Sequence, residues 1–210
     1  MGFKVTLVTD PSSKDMKKAF HDLVAGPGRE PERGIIVCNA PTSNIVSAAE
    51  HTIAELLKAQ GYATGAFVGA FPLDSRFGLT HGFDVYDDNY GTQGPTDLKF
   101  VERRADVVVD KALEWLKGQT GPWFLWVHCF DPHQPYEPPE PFATQFKTDP
   151  YSGEVAYVDA SLAKLFAYLR DSGQWDSTLT VLTADHGQGL GEHDEATHGY
   201  FAYNSTLWVP

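Results

Sequence analysis

Apolar segments of two different periods alternate along the chain, and together they predict an α/β fold. Short runs rich in β-branched and aromatic residues predict strands, namely Phe3–Thr9, Ile35–Cys38, Tyr62–Val68, Trp123–Cys129 and Thr178–Thr183. Longer segments with apolar residues three and four apart predict helices, namely Lys14–Val24, Ser47–Gln60, Thr96 or Asp97 to Lys117, and Ser152–Asp171. The connections are too long for hairpins. The alternation therefore predicts a mainly parallel sheet with helices on both faces, a three-layer α/β/α sandwich.

Several of these elements carry sharper signals. Ser47 with Glu50 has the spacing of a capping box, and Gly61 stands where that helix should end. Trp123–Cys129 is almost continuously apolar, as expected for a strand buried on both faces. Two long loops are predicted between the elements, an acidic one over Asp74–Gly94 and a proline-rich one over Asp131–Phe142.

Composition narrows the class of partner. The 210 residues suffice for one sizeable domain, and the formal net charge is −12. Nucleic acid is not expected as a partner, because phosphate backbones are bound by clustered Lys and Arg. A small anionic substrate remains compatible, because a bound metal ion can reverse the local field.

Other bulk features say little about location. The two cysteines, Cys38 and Cys129, are expected to be buried thiols without a disulfide framework. No apolar run reaches the roughly 18 residues of a membrane span, and the first residues lack the pattern of a signal peptide. Trp208-Val209-Pro210 forms no polar terminus, so we expect a domain that is cut off there. Compartment and oligomeric state are not predicted.

Polar chemistry follows two of the predicted strands. Asp185 and His186 come directly after Thr178–Thr183, and glycines follow at Gly187 and Gly189. Ligands of parallel sheets bind at the carboxyl ends of strands, and a carboxylate with an imidazole suits a divalent cation. The glycines would let the backbone pass close to a bound ion. The alternative is a solvated loop with an incidental Asp-His pair.

Histidines add to this picture. His133 lies in a loop restrained by prolines, and His198 lies a few residues beyond the Asp-His pair. A histidine near an ester oxygen can act as a general acid toward the leaving group. His128 falls within a strand and is interpreted as a core or sheet-face residue. Asp131 is either a turn residue before Pro132 or a partner of a site residue.

These motifs resemble the sulfatase branch of the alkaline phosphatase superfamily over roughly His51 to Pro210. The resemblance is carried by Thr183-Ala184-Asp185-His186-Gly187-Gln188-Gly189-Leu190-Gly191-Glu192-His193, Thr197-His198-Gly199-Tyr200-Phe201, Trp123–His128, Asp131-Pro132-His133-Gln134-Pro135-Tyr136 and Leu56–Thr64. Their combination is far more specific than any single motif.

The resemblance implies an alkaline phosphatase-like fold and the hydrolysis of a small sulfate or phosphate ester. Asp185 and His186 would bind a divalent metal, with calcium expected first and manganese or zinc as alternatives. His198 would stand in the place of the basic residue that protonates the leaving group or binds the substrate anion. His133 would lie beside the sulfate or phosphate. The family reaction proceeds through a covalent intermediate on an activated nucleophile.

The sequence also departs from the family pattern. No strand ends in the Asp pair that completes the metal site, and no formylglycine-type motif is present. Cys38-Asn39-Ala40-Pro41-Thr42 has its proline one position late and no arginine. Asp10 precedes a proline without a second carboxylate and is a poor candidate ligand. Gly69-Ala70-Phe71-Pro72 replaces the family's Gly-Lys-x-His element, which puts sulfate specificity in doubt.

The departures suggest an N-terminal segment of uncertain origin over residues 1–45 and a partial sulfatase-like catalytic domain over 46–210. Residues 2–10 and 16–20 loosely resemble caspase-like peptidase domains without their catalytic motifs, so no activity is carried over. The first hypothesis is a metal-dependent ester hydrolase of which this chain is an incomplete copy. The second is a non-catalytic fragment or pseudo-enzyme that binds a metal or a partner. A phosphomonoesterase, a phosphodiesterase and a phosphoethanolamine transferase-like enzyme are further alternatives.

Overall fold

The computed structural model describes the backbone of residues 3–9 and the full chain at residues 52–90, 102–195, 197–198 and 202–209. The strands are β1 Phe3–Thr9, β2 Ala63–Val68, β3 Val85–Asp87, β4 Trp123–Cys129 and β5 Thr178–Ala184. The helices are α1 Ile53–Ala59, α2 Ala105–Lys117, α3 Phe142–Gln145, α4 Pro150–Asp171 and α5 Asn204–Leu207. The predictions at Lys14–Val24, Ile35–Cys38 and Ser47 lie outside the described residues.

Within these ranges the strands form one five-stranded sheet in the order β3-β2-β4-β1-β5. β2 is parallel to both β3 and β4. β1 is antiparallel to both β4 and β5, so β4 and β5 run in the same direction on either side of it. The mainly parallel sheet is confirmed, and β1 is its one reversed strand among those described.

Helices cover both faces of the sheet, which confirms the three-layer arrangement. On one face, α2 and α4 pack on β4 through a core that includes Leu116, Leu125 and Leu165. On the other face, Ala54 of α1 packs against Phe124. Alternate residues of β4 therefore point into two separate cores, which is why its sequence is apolar except at His128. None of the described helices is long and apolar enough to cross a bilayer.

The helices α1 and α2 each begin later than the helices predicted there, because the described residue before each of them has extended backbone. The capping box at α1 joins Thr52 and Glu55, whose side chains and backbone N–H groups bond reciprocally at 3.1 and 2.9 Å. α2 begins at Ala105 and not at Thr96 or Asp97, because Glu102 forms an isolated bridge with Ala70 before the helix starts. The end of α1 is confirmed, since Gly61 takes the left-handed conformation with φ 86°.

Strand β3 was not predicted. It lies within the predicted acidic loop, and Arg103 holds its end beside the end of β2. The carbonyl groups of Val68 and Asp87 end β2 and β3, and both accept hydrogen bonds from the buried guanidinium of Arg103. Arg103 also pairs with the Asp87 carboxylate at 2.9 Å. A strand of three residues carries too little periodicity to be found from sequence alone.

Candidate functional site

The predicted site residues meet at one edge of the sheet. Phe3 pairs with both Cys129 and Ala184, the last residues of β4 and β5, so the carboxyl ends of these strands lie side by side. The loop after β4 carries His133, and the segment after β5 carries Asp185, His186 and His198. This is the edge at which ligands of parallel sheets bind.

Three imidazoles cluster there. The ring centroids of His186 and His198 are 4.0 Å apart, and those of His133 and His198 are 5.7 Å apart. His133 also stacks on Phe130 at 4.1 Å. The structure thus brings together residues separated by up to 65 positions in the sequence, and His198 is in contact with both of the other histidines.

The hydrogen bonds of the rings define their neutral tautomers. Nδ1 of His186 lies 2.6 Å from the Gly187 carbonyl, and Nδ1 of His133 lies 2.7 Å from the Gln134 carbonyl. A carbonyl oxygen can only accept, so both rings donate through Nδ1. In the neutral ring the lone pair is then on Nε2, the atom suited to bind a metal or accept a proton.

Asp185 and His186 have the chemistry of a partial metal site. The carboxylate Oδ1 of Asp185 lies 3.9 Å from Nε2 of His186, and both side chains are about one-fifth exposed, at 22% and 19%. A carboxylate oxygen and an imidazole nitrogen that share one divalent cation, each about 2.0–2.6 Å from it, can lie at such a separation. The pair is therefore compatible with a single cation.

The pair does not complete a site by itself. Across residues 52–90, 102–195, 197–198 and 202–209, no group of three or more His, Cys, Asp or Glu side chains is arranged to hold a metal ion. Calcium takes about six to eight oxygen ligands. The described residues therefore fit two ligands of a metal site and not the whole of it.

Gln188 links the site to the proline-rich loop, a role that the sequence interpretation missed. Its Oε1 is 2.8 Å from Nδ1 of His198, and its Nε2 donates to the hydroxyl of Tyr136 at 2.6 Å. With Oε1 as acceptor, His198 donates through Nδ1 like the other two histidines. Gln188 stood within the recognised motif, but nothing in the spacing indicated that its amide bridges two loops.

The site environment favours neutral imidazoles. Burial, and then the neighbouring His186, lowers the pKa of His198 to about 4. Burial also lowers the pKa of His133. A charged ring at either position would be shielded from water and would lie next to another imidazole. Both conditions disfavour the cationic form. Both rings are therefore mainly neutral at pH 7.

Two acidic side chains anchor the loop that carries His133. Oδ2 of Asp131 accepts from the backbone N–H of Ala105 at 2.9 Å and so caps the start of α2. The two oxygens of Glu154, on α4, accept from the backbone N–H groups of His133 and Glu137 at 3.1 and 2.8 Å. Asp131 is thus a helix-capping residue, and Glu154 was missed because its partners are 17 and 21 positions away.

Glu154 should give the fold a measurable pH dependence. Burial raises its pKa from 4.5 to about 7, against the lowering effect of the two backbone N–H groups. A raised pKa stabilises the fold below the unfolded-state value, and this contribution is lost as the pH rises through the folded-state value. Relative to Glu154→Gln, the wild-type chain should lose about 3 kcal/mol of unfolding free energy between pH 4.5 and 7.

Urea unfolding of both proteins at a series of pH values measures this difference, because groups common to both cancel. Asp159→Asn, at an exposed position on the same helix, is the matched control, and its unfolding free energy should stay close to that of the wild type. A pH-independent gap between wild type and Glu154→Gln would show that the pKa of Glu154 is the same in the folded and the unfolded chain.

Comparison with known proteins identifies a family for this chain. The sequence profile of the family named Sulfatase matches residues 28–210. The chain belongs to the sulfatase family. The matched range includes His133, Asp185, His186 and His198, and it starts before His51, where the motif resemblance begins.

Individual relatives of this sulfatase-family chain are distant. The multifunctional alkaline phosphatase superfamily protein PehA of Trinickia caryophylli is 25% identical over 139 residues, covering 40% of this chain and 27% of that protein. N-acetylgalactosamine-6-sulfatase of Sus scrofa is 27% identical over 175 residues, covering 67% of this chain and 33% of that protein. The uncharacterized sulfatase YdeN of Escherichia coli (strain K12) is 32% identical over 87 residues, covering 38% of this chain and 15% of that protein. The chain spans about a third or less of the length of these relatives.

Proposed function

We propose that this chain forms the metal-binding and acid/base part of a hydrolase site for sulfate esters. The observation that carries the proposal is the convergence of His133, His186 and His198 beside Asp185 at the carboxyl ends of β4 and β5. Membership of the sulfatase family supports a sulfate ester as the substrate class.

Each residue has a separate role in this proposal. Asp185 and His186 bind a divalent cation, calcium first with manganese or zinc as alternatives, and His133 lies beside the substrate anion. His198 protonates the leaving group. Burial lowers the pKa of this ring, and an ester anion bound against it would favour the protonated form, because a nearby opposite charge raises the pKa of an imidazole.

The rest of the site must come from other residues. β1 occupies the position between β4 and β5, but it runs from the site edge to the opposite edge, where Thr9 pairs with Thr178. Seven residues of strand span about 20 Å, so Thr9 at the end of β1 is remote from His186. The nucleophile and the remaining metal ligands are therefore not supplied by the end of β1.

A second candidate follows for the chain as it stands. With two metal ligands and no recognised nucleophile, it would bind a cation without turnover. Phosphate esters are the alternative substrate class, supported by the replacement of the Gly-Lys-x-His element with Gly69-Ala70-Phe71-Pro72. A phosphoethanolamine transferase-like activity rests on the same replacement.

Turnover distinguishes these possibilities. The purified chain should release no detectable product from an aryl sulfate, a phosphate monoester or a phosphate diester, with or without calcium, manganese or zinc. Robust hydrolysis of any of them would overturn the view that the site is incomplete. The substrate that reacted would then identify the ester class.

Metal binding tests the assigned ligands independently of turnover. Titration with calcium or manganese, followed by calorimetry, should show one weak site, and Asp185→Ala should abolish it because one of two ligands is lost. Asp159→Ala removes an equal charge at an exposed position of α4 and should leave the binding constant unchanged. Equal binding by wild type and Asp185→Ala would refute the assignment of Asp185.

A further inference from the structure

Glu154 is an unusually placed carboxyl group. Glu154 is only 4% exposed, although most buried side chains of its helix are apolar, such as Val158 and Leu165. Its partners are two backbone N–H groups of one loop, those of His133 and Glu137, and each carboxyl oxygen receives one of them. It faces a cavity that is also lined by Phe130 and Arg104.

The geometry requires a carboxyl group. A glutamine side chain has one oxygen, so it can accept only one of the two N–H groups and would turn its own NH₂ toward the other. An apolar side chain would leave both N–H groups buried without an acceptor. Glu154 therefore holds the two ends of a five-residue stretch, His133 to Glu137, at a fixed distance from α4.

The held stretch determines where the His133 ring lies. Its ring stacks on Phe130 with an interplanar angle of 23° and meets the edge of His198 at 72°. Nδ1 is turned toward the Gln134 carbonyl within the same stretch. A shift of the backbone at His133 would therefore change the stacking on Phe130 and the approach to His198 together.

We propose that Glu154 is a positioning residue of the hydrolytic site, which acts by holding the backbone on both sides of the proline-rich turn so that His133 faces His198. This inference rests on the proposed role of His133 beside the substrate anion. It concerns a residue outside the motifs that carry the family resemblance.

The test is nuclear magnetic resonance on the full chain, and it needs no turnover or metal. In Glu154→Gln, amide hydrogen exchange at His133 or Glu137 should accelerate about tenfold or more, as expected for one lost buried hydrogen bond. The ring protons of His133 should also lose the shift caused by stacking on Phe130. Asp159→Asn should leave both measurements unchanged.

Two internal references separate positioning from general destabilisation. The ring of His193 stacks on Tyr203 at 4.0 Å, so its ring protons report on a stack that Glu154 does not contact. The amide of Leu165 reports on the middle of α4. The proposal holds if only the loop amides and the His133 ring respond.

Unchanged His133 signals, or equal acceleration at Leu165 and His133, would overturn the proposal. If Glu154→Gln does not fold, Glu154→Asp is judged by the same criteria, since it keeps both oxygens but withdraws them by one methylene. A failed hydrolysis or metal-binding experiment leaves these measurements interpretable, so the positioning role and the proposed function fail separately.

Discussion

Replacing Arg103 with methionine is expected to destabilise the fold by about 4 kcal/mol, because it leaves a largely buried carboxylate without its partner. The Arg103 side chain is 6% exposed and that of Asp87 is 20% exposed. Arg103 also donates to the carbonyl of Val68 at 2.7 Å and to that of Asp87 at 2.8 Å. Methionine keeps most of the aliphatic volume, so the change isolates the guanidinium.

Chemical denaturation measures this effect, with Lys164→Met as the control. Lys164 pairs with Asp110 at 2.8 Å, but the two side chains are 46% and 57% exposed. Exposed pairs contribute less than about 1 kcal/mol, so this variant should remain close to wild type. Similar losses in the two variants would contradict the view that burial gives the Arg103–Asp87 pair its effect.

Gly187→Ala should lower the free energy of unfolding by about 3 kcal/mol. It should also move the segment after β5 away from α5. A Cβ at this position would lie 2.1 Å from the Ser205 carbonyl oxygen and 2.8 Å from that of Trp208. Both neighbours are backbone atoms, so the chain must move apart and weaken the hydrogen bond from Gly187 to the Thr206 carbonyl. Since Gly187 follows His186 directly, the movement should also displace that ring.

Gly121→Ala is the matched control, because a Cβ there meets nothing within 4 Å. Thermal or urea unfolding compares the two variants, and the ring-proton signals of His186 report on the displacement. A Gly187→Ala protein as stable as Gly121→Ala would mean that α5 does not pack against this glycine.

Gly187 and Gly189 lie at close contacts, as predicted, but the contacts are with other partners than the predicted ion. We expected Gly187 and Gly189 to allow close approach of a bound ion. In the structure the close neighbours are the chain's own carbonyl groups, those of Ser205 and of Thr197, the latter 2.5 Å from a Cβ built on Gly189. The glycines therefore let the segment after β5 fold back on itself, which brings His198 beside His186.

The first residues of α1 and α2 could not be found from the sequence. α1 and α2 were predicted to begin too early, because apolar spacing continues through residues that the tertiary structure uses elsewhere. Glu102, for example, forms a bridge with Ala70, and the backbone N–H of Arg103 donates to the Gly69 carbonyl at 2.7 Å. Local periodicity contains no information about such pairings between distant segments.

The sequence by itself determined the α/β class, the bounds of β4 and the motif residues His133, Asp185, His186 and His198. These follow from local patterns, since a strand buried on both faces is almost continuously apolar and a motif is a fixed spacing of residue types. Only the tertiary structure decided the reversed direction of β1, the contact of the three imidazoles and the roles of Gln188 and Glu154. Each of these depends on groups distant in sequence, whose meeting is set by how the strands pair and the helices pack.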